Sequence, residues 1–127
     1  MTDPSTNEPY IEYRNDAKPR RDSLPACPVE TCVQLIGSKW RLLIMRDLLM
    51  NGHMRFKELQ RSVGSISQKV LTTNLREMED AGLIVRRVYP EVPPRVEYSL
   101  TETGKSLQPI IEAMWNWGSA YQAAALQ

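Results

Sequence analysis

This 127-residue chain predicts a mainly α-helical domain with one small β-hairpin. Three features carry that expectation. Apolar residues recur at helical spacing in four successive stretches between Pro28 and Ala81, each closed by a glycine. Two runs rich in Val, Ile and Tyr, residues 83–89 and 95–100, then flank Pro90-Glu91-Val92-Pro93-Pro94. That run has too few N–H donors for a ladder and is therefore the tip of a hairpin. A last apolar stripe, Leu107, Ile110, Ile111, Met114, Trp117 and Tyr121, marks a final helix. A tight helix pair followed by a hairpin is the outline of a winged helix-turn-helix, in which one helix enters the DNA major groove and the hairpin grips the flanking backbone.

The elements follow in order. Residues 1 to about 24 lack apolar periodicity and contain Pro4, Pro9 and Pro19, so 1–26 reads as a flexible N-terminal arm, mobile or loosely docked, before a domain spanning 27–125. Arg20 and Arg21 in that arm read as solvated residues with DNA or a partner as the alternative. Pro28 suits the first turn of a helix, where its missing N–H costs nothing, and Val29, Cys32, Val33 and Ile36 follow before Gly37. Ser38 caps a second helix to about Met50, whose many apolar positions make it the central buried one. Asn51-Gly52 is a turn. Phe56, Leu59 and Val63 give a short third helix ended by Gly64. Ser67 is the N-cap of the fourth helix, with Ile66 stapling onto Leu71. Ser65 with Gln68 is a competing capping box. Gly82 ends this helix. In the simplest hairpin register Arg87 faces Glu97 and Tyr89 faces Arg95. Thr101 caps the final helix, which runs to about Ala125 and is kinked or broken at Pro109.

Composition narrows the function. No apolar run approaches the roughly 18 residues that span a membrane, and residues 1–25 have no signal-type apolar stretch, so a cytoplasmic location is expected. Cys27 and Cys32 with the single His53 supply neither a metal framework nor a triad, so neither metal nor cofactor is expected. Asp47 and the other carboxylates show no pairing suited to acid–base work, and the chain is not expected to be an enzyme. The net charge is only +1, but residues 38–95 hold eleven Lys/Arg against six Asp/Glu, while 1–30 and 96–127 are each −2. A basic centre between acidic flanks suits a surface that meets a polyanion.

The fourth helix carries the candidate readout. At 100° per residue, with Gln68 at zero, Thr72, Arg76, Lys69 and Thr73 fall between about 40° and 140°, opposite Leu71, Leu75 and Met78. Gln suits adenine, Arg and Lys suit guanine, and Thr meets a thymine methyl. The candidate DNA-binding residues are Ser67, Gln68, Lys69, Thr72, Thr73 and Arg76 on this helix, with Arg86, Arg87 and Arg95 on the hairpin. Arg86 and Arg95 are the stronger wing candidates, because Arg87 has Glu97 as a cross-strand partner. Arg55, Lys57 and Arg61 serve equally as phosphate contacts or as surface charge. Cys27, at the helix N-cap, is a candidate redox or electrophile sensor with a packed small residue as the alternative, and Cys32 falls near the core face. Trp115, Trp117 and Met114 suggest helix packing or a dimer face rather than an aromatic ligand pocket. A winged helix that binds protein instead of DNA is the alternative reading.

Cys27-Pro28-Val29, Ile36-Gly37-Ser38-Lys39-Trp40 and Arg55-Phe56-Lys57-Glu58-Leu59 resemble the HxlR family of bacterial transcription regulators, as do residues 66–72 and 89–101. The resemblance runs in continuous order over about 27–125. It implies a MarR-like fold and a homodimer built from the first and last helices that binds palindromic operators in double-stranded DNA. It also implies a recognition helix over 67–76 and a wing over 86–95. Some members sense oxidants or electrophiles through a cysteine near the N-terminus, the place that Cys27 holds, and a small-molecule inducer is another form of signal. The first 26 residues find no match in the family core.

Overall fold

The computed structural model describes residues 1–13 and 23–126. Its elements are β1 (Ile11–Tyr13), α1 (Pro28–Ile36), α2 (Lys39–Asn51), β2 (His53–Arg55), α3 (Phe56–Val63), α4 (Gln68–Asp80), β3 (Ile84–Tyr89), β4 (Arg95–Leu100), α5 (Glu102–Lys105) and α6 (Gln108–Ala125). One antiparallel sheet has the order β1-β3-β4-β2.

Capping sets the helix boundaries. Ser38 Oγ accepts from the Arg41 N–H at 3.2 Å, and Ser67 Oγ accepts from the Val70 N–H at 3.1 Å, which resolves the start of α4 in favour of Ser67. Gly64 and Gly82 close α3 and α4 with φ of 87° and 76°, angles that a side chain disfavours. The long C-terminal helix is broken rather than kinked. Thr101 caps a single turn, α5, and α6 begins with Pro109 in its first turn, where no N–H is missed.

The core is one cluster. Ile44, Met45 and Leu48 of α2 meet Leu59 of α3, Leu71, Leu75 and Met78 of α4, and Leu83, Ile84 and Leu100 of the hairpin, all buried. Arg41 fastens the same layer from outside. It hydrogen-bonds the Leu35 carbonyl at 3.0 Å and the Asn74 side chain, and pairs with Glu77. The hairpin has the expected register, with Arg87 opposite Glu97 and Tyr89 opposite Arg95. A strand not expected from the sequence, β2, follows Asn51-Gly52 and pairs with β4 through His53–Ser99, Met54–Tyr98 and Arg55–Glu97. Three residues leave too short an alternation to distinguish from a turn.

Residues 1–13 dock on the sheet through a strand not expected from the sequence. Asp3 Oδ1 accepts from the Ser5 N–H at 2.9 Å and from its hydroxyl at 2.7 Å, an Asx turn that folds the chain back so that Thr2 bridges Pro9. Ile11–Tyr13 then adds a strand to the free edge of β3, with Ile11 opposite Val88 and Tyr13 opposite Arg86. No apolar run announces this strand because its partners lie about 75 residues away. Arg20 and Arg21 lie outside the described residues.

Gly104 packs where nothing larger fits. A Cβ there would lie 2.2 Å from the Leu83 carbonyl oxygen, which is backbone and cannot swing away. Gly104→Ala is expected to destabilise the fold by about 1–3 kcal/mol in urea unfolding, and an unchanged midpoint would contradict this packing.

Candidate nucleic-acid interface

The face of α4 opposite Leu71, Leu75 and Met78 is open to solvent. Ser67, Gln68, Lys69, Thr73 and Arg76 are exposed and Thr72 is half-buried. The Thr73 hydroxyl donates to the Lys69 carbonyl at 3.0 Å, while the described residues offer no hydrogen-bond partner to the side chains of Gln68, Lys69 and Arg76. The helix thus presents a mixed donor and acceptor surface along one side.

The three hairpin arginines do not share a surface. Alternation along paired strands puts Arg86 on one face of the sheet with Tyr98, Met54 and Tyr13, and puts Arg87 and Arg95 on the other with Glu97 and Arg55. Arg86 turns toward α4. Its Nε lies 3.6 Å from Glu79, and together with Thr72, Leu75, Arg76, Glu79 and Tyr98 it lines a small polar cleft. Its guanidinium also sits 4.5 Å from the Tyr13 ring centroid. Burial in this cleft pushes the Glu79 carboxyl above its ordinary value of 4.5, and the Arg86 charge only partly opposes the shift. Burial likewise raises the Tyr98 phenol.

On the opposite face the arginines are heavily paired. Arg87 Nε donates to Glu12 Oε2 at 3.1 Å and lies 4.9 Å from the Tyr10 ring. Burial works against its charge, but the Glu12 bond and the neighbouring Tyr10 outweigh it and hold its pKa above the ordinary value. Arg95 pairs with Glu8, approaches Glu91 at 3.6 Å and Glu97 at 3.8 Å, and stacks 4.0 Å over Tyr89. The Glu8 hydrogen bond is the main cause of its raised pKa. The Tyr89 hydroxyl donates to Asp3 at 3.3 Å, and Asp3, held first by the Ser5 hydroxyl, has its pKa lowered to about 2. The sequence offers Glu97 as a cross-strand partner for Arg87 and puts Arg86 and Arg95 ahead of it as wing contacts. In the structure both Arg87 and Arg95 are engaged, and the partners missed are Glu8, Tyr10 and Glu12. The alternating Glu8, Tyr10 and Glu12 were the only signal for them.

Arg55, Lys57 and Arg61 line a broad groove with Arg95 and Glu97, so the basic residues at the start of α3 continue the face that holds Arg87 and Arg95. Glu58 is spent on capping, its Oε1 accepting from the Arg55 N–H at 3.0 Å. Cys27 is exposed and occupies the N-cap of α1 without a side-chain cap bond, while Cys32 is half-buried against the core. Met114, Trp115, Trp117 and Tyr121 on α6 are exposed, as are Val29 and Val33 on α1. Trp117 stacks on Tyr121 with ring centroids 5.2 Å apart. Among the described residues no helix is long and apolar enough to cross a membrane, and no group of His, Cys, Asp and Glu could hold a metal ion.

Comparisons agree with this architecture. The model of the HxlR-like helix-turn-helix family matches residues 35–125. A helix-turn-helix transcriptional regulator of Methanothermobacter thermautotrophicus is 53% identical over 95 residues, which cover 75% of this chain and 72% of the relative. The regulator YdeP of Bacillus subtilis is 46% identical over 101 residues, or 80% of this chain and 78% of YdeP. Among solved structures, the redox regulator HypR in its oxidised form matches with TM-score 0.70 and 46% identity, covering 74% of this chain and 96% of HypR. In its reduced form HypR matches with TM-score 0.73 and 42% identity, covering 78% and 97%.

The Glu79 environment has a pH consequence. A carboxyl whose folded pKa is raised adds stability below its unfolded value and loses it as pH rises through the folded value. Glu79→Gln is therefore expected to match the wild type in urea unfolding below about pH 4.5 and to become progressively more stable than it above that pH. A constant difference across the range would contradict the burial cost.

Proposed function

The chain belongs to the HxlR-like helix-turn-helix family of transcriptional regulators, and from that premise we propose that it acts as a homodimer on palindromic operators. The observation that carries the DNA reading is the solvent face of α4, where Gln68, Lys69, Thr72, Thr73 and Arg76 lie on one side of a helix whose other side is locked in the core. In this reading the side chains near Ser67 reach base edges, and the wing arginines with Arg55, Lys57 and Arg61 hold the backbone. Lys69→Ala and Thr72→Ala are expected to narrow the affinity gap between operator and random DNA by about 1–3 kcal/mol each. Arg95→Ala is expected to weaken both DNAs alike. Fluorescence anisotropy against both duplexes checks this, and unchanged binding in all three variants would refute the assignment.

The exposed apolar stripes of α1 and α6 support the dimer. Trp117 is 70% exposed, Trp115 66% and Val29 70%, a concentration that a monomer in water does not sustain and a second copy would cover. Such a dimer would place two copies of α4 one helical turn apart on DNA, about 34 Å. Trp117→Arg is expected to yield a monomer in analytical ultracentrifugation and to abolish operator selectivity while random DNA is still bound weakly.

The exposure of Cys27 favours a redox-responsive form of the regulator, as the name of the HypR relative describes for that protein. In this reading an oxidant or electrophile modifies the thiol at the first turn of α1, beside the proposed dimer face. Diamide should change operator affinity of the wild type and leave Cys27→Ser unaffected; an equal response in both would remove Cys27 from the role.

A further inference from the structure

The sheet face holding Arg87 and Arg95 carries more acid than the wing itself supplies. Within the wing, Glu91 and Glu97 would balance these two arginines. The N-terminal segment adds Glu8 on Arg95 and Glu12 on Arg87, so four carboxylates meet two guanidinium groups. Residues 1–13 contain three acidic residues and no Lys or Arg. Beyond this patch the same face continues to Arg55, Lys57 and Arg61, a cationic track suited to a phosphate backbone.

We propose that this segment stands in for the DNA backbone on the wing, with Glu8 and Glu12 where phosphates would bind Arg95 and Arg87, and that duplex DNA displaces it. The proposal rests on the DNA-binding reading above and adds a built-in competitor to it. The segment is attached in a way that permits exchange. Its strand has only three residues and pairs with β3 alone. Ile11 is 59% exposed and Tyr13 41%, and no residue of the segment joins the core. It is held by three residues of backbone pairing with β3, by Tyr10 packed on Tyr89 and the Tyr89–Asp3 hydrogen bond, and by the Glu8–Arg95 and Glu12–Arg87 pairs, with Tyr10 and Tyr13 laid against Arg87 and Arg86. A phosphate offers the same guanidinium groups the same chemistry in a multivalent array.

The test uses the full-length chain, the double variant Glu8→Gln/Glu12→Gln and a random-sequence 30-base-pair duplex. Anisotropy titrations over a salt series report affinity, and hydrogen exchange of the β1 amides with and without DNA reports whether the segment is docked. The variant is expected to bind on the order of tenfold more tightly at low salt. In the wild type, β1 protection is expected to fall when DNA is added. Equal or weaker binding by the variant, or β1 protection that stays or rises with DNA, overturns the proposal while leaving wild-type DNA binding intact. If the wild type and variant both bind no DNA, the DNA-binding reading itself falls, and the proposal with it.

Discussion

Burial of Leu71, Leu75 and Met78 is the constraint on which the rest depends. These three side chains fix the rotation of α4 about its axis, since each would cost about 1.5–3 kcal/mol to return to water. The Arg41–Glu77 pair beside them is half open to solvent and worth about 0–1 kcal/mol. Apolar burial therefore decides the helix orientation and the ion pair trims it. Once the buried side is set, 100° per residue leaves Gln68, Lys69, Thr72, Thr73 and Arg76 no place but the solvent side. The same burial docks Leu83, Ile84 and Leu100 against α4, which carries Arg86 to Glu79 and anchors the wing to the helix it flanks.

Most of this was legible along the chain because local chemistry and global packing agree. Ser38, Ser67 and Thr101 are hydroxyl caps at helix starts, and Gly64 and Gly82 adopt backbone angles that favour glycine. The wing register follows from two strands joined at a proline-rich tip. What stayed hidden shares one physical property: its partners are far away in sequence. β2 is three residues whose pairing is with β4, some 45 residues on. Glu12 finds Arg87 across 75 positions. Periodicity reports which face of an element is wet or dry, but it carries no information on which distant charge will meet it. The acidic partners of the wing arginines stayed out of sight for that reason, because Glu97 is visible as a neighbour of Arg87 and Glu8 and Glu12 are not visible as neighbours of anything.

Side-chain alternation adds a consequence that a bare charge count misses. A wing with three arginines looks like one basic patch, yet consecutive residues of a strand point to opposite faces. Arg86 belongs with Arg76 and Thr72 beside α4, whereas Arg87 and Arg95 belong with Arg55 on the far side. The two surfaces also differ in how their charge is held. Glu79 is buried enough that its ionised form is disfavoured, so its hold on Arg86 carries a desolvation cost. The carboxylates on the other face are more numerous and of two kinds: Glu8 and Glu91 remain partly hydrated, while Glu12 and Glu97 are as enclosed as Glu79.

That difference bears on how such a surface could be controlled. Glu79 stands on α4, whose Leu71, Leu75 and Met78 are in the core, so it cannot leave Arg86 without unfolding part of the fold. A three-residue edge strand bonded to a single neighbour can leave as a unit without opening the core, although Glu12 is only 10% exposed and Glu8 40%, and the ion-pair part of its attachment is screened by salt. Its attachment and the attachment of a polyanion to the same arginines weaken together as salt rises, so the balance between them is set by the number and spacing of negative charges rather than by ionic strength alone. A duplex with a charge every ~1.7 Å of axis outnumbers two glutamates, while a short or single anion does not. On the proposed displacement, an acidic strand of this strength would discriminate against weak, scattered contacts and yield to an extended backbone, which would place a threshold on non-specific association without any change in α4.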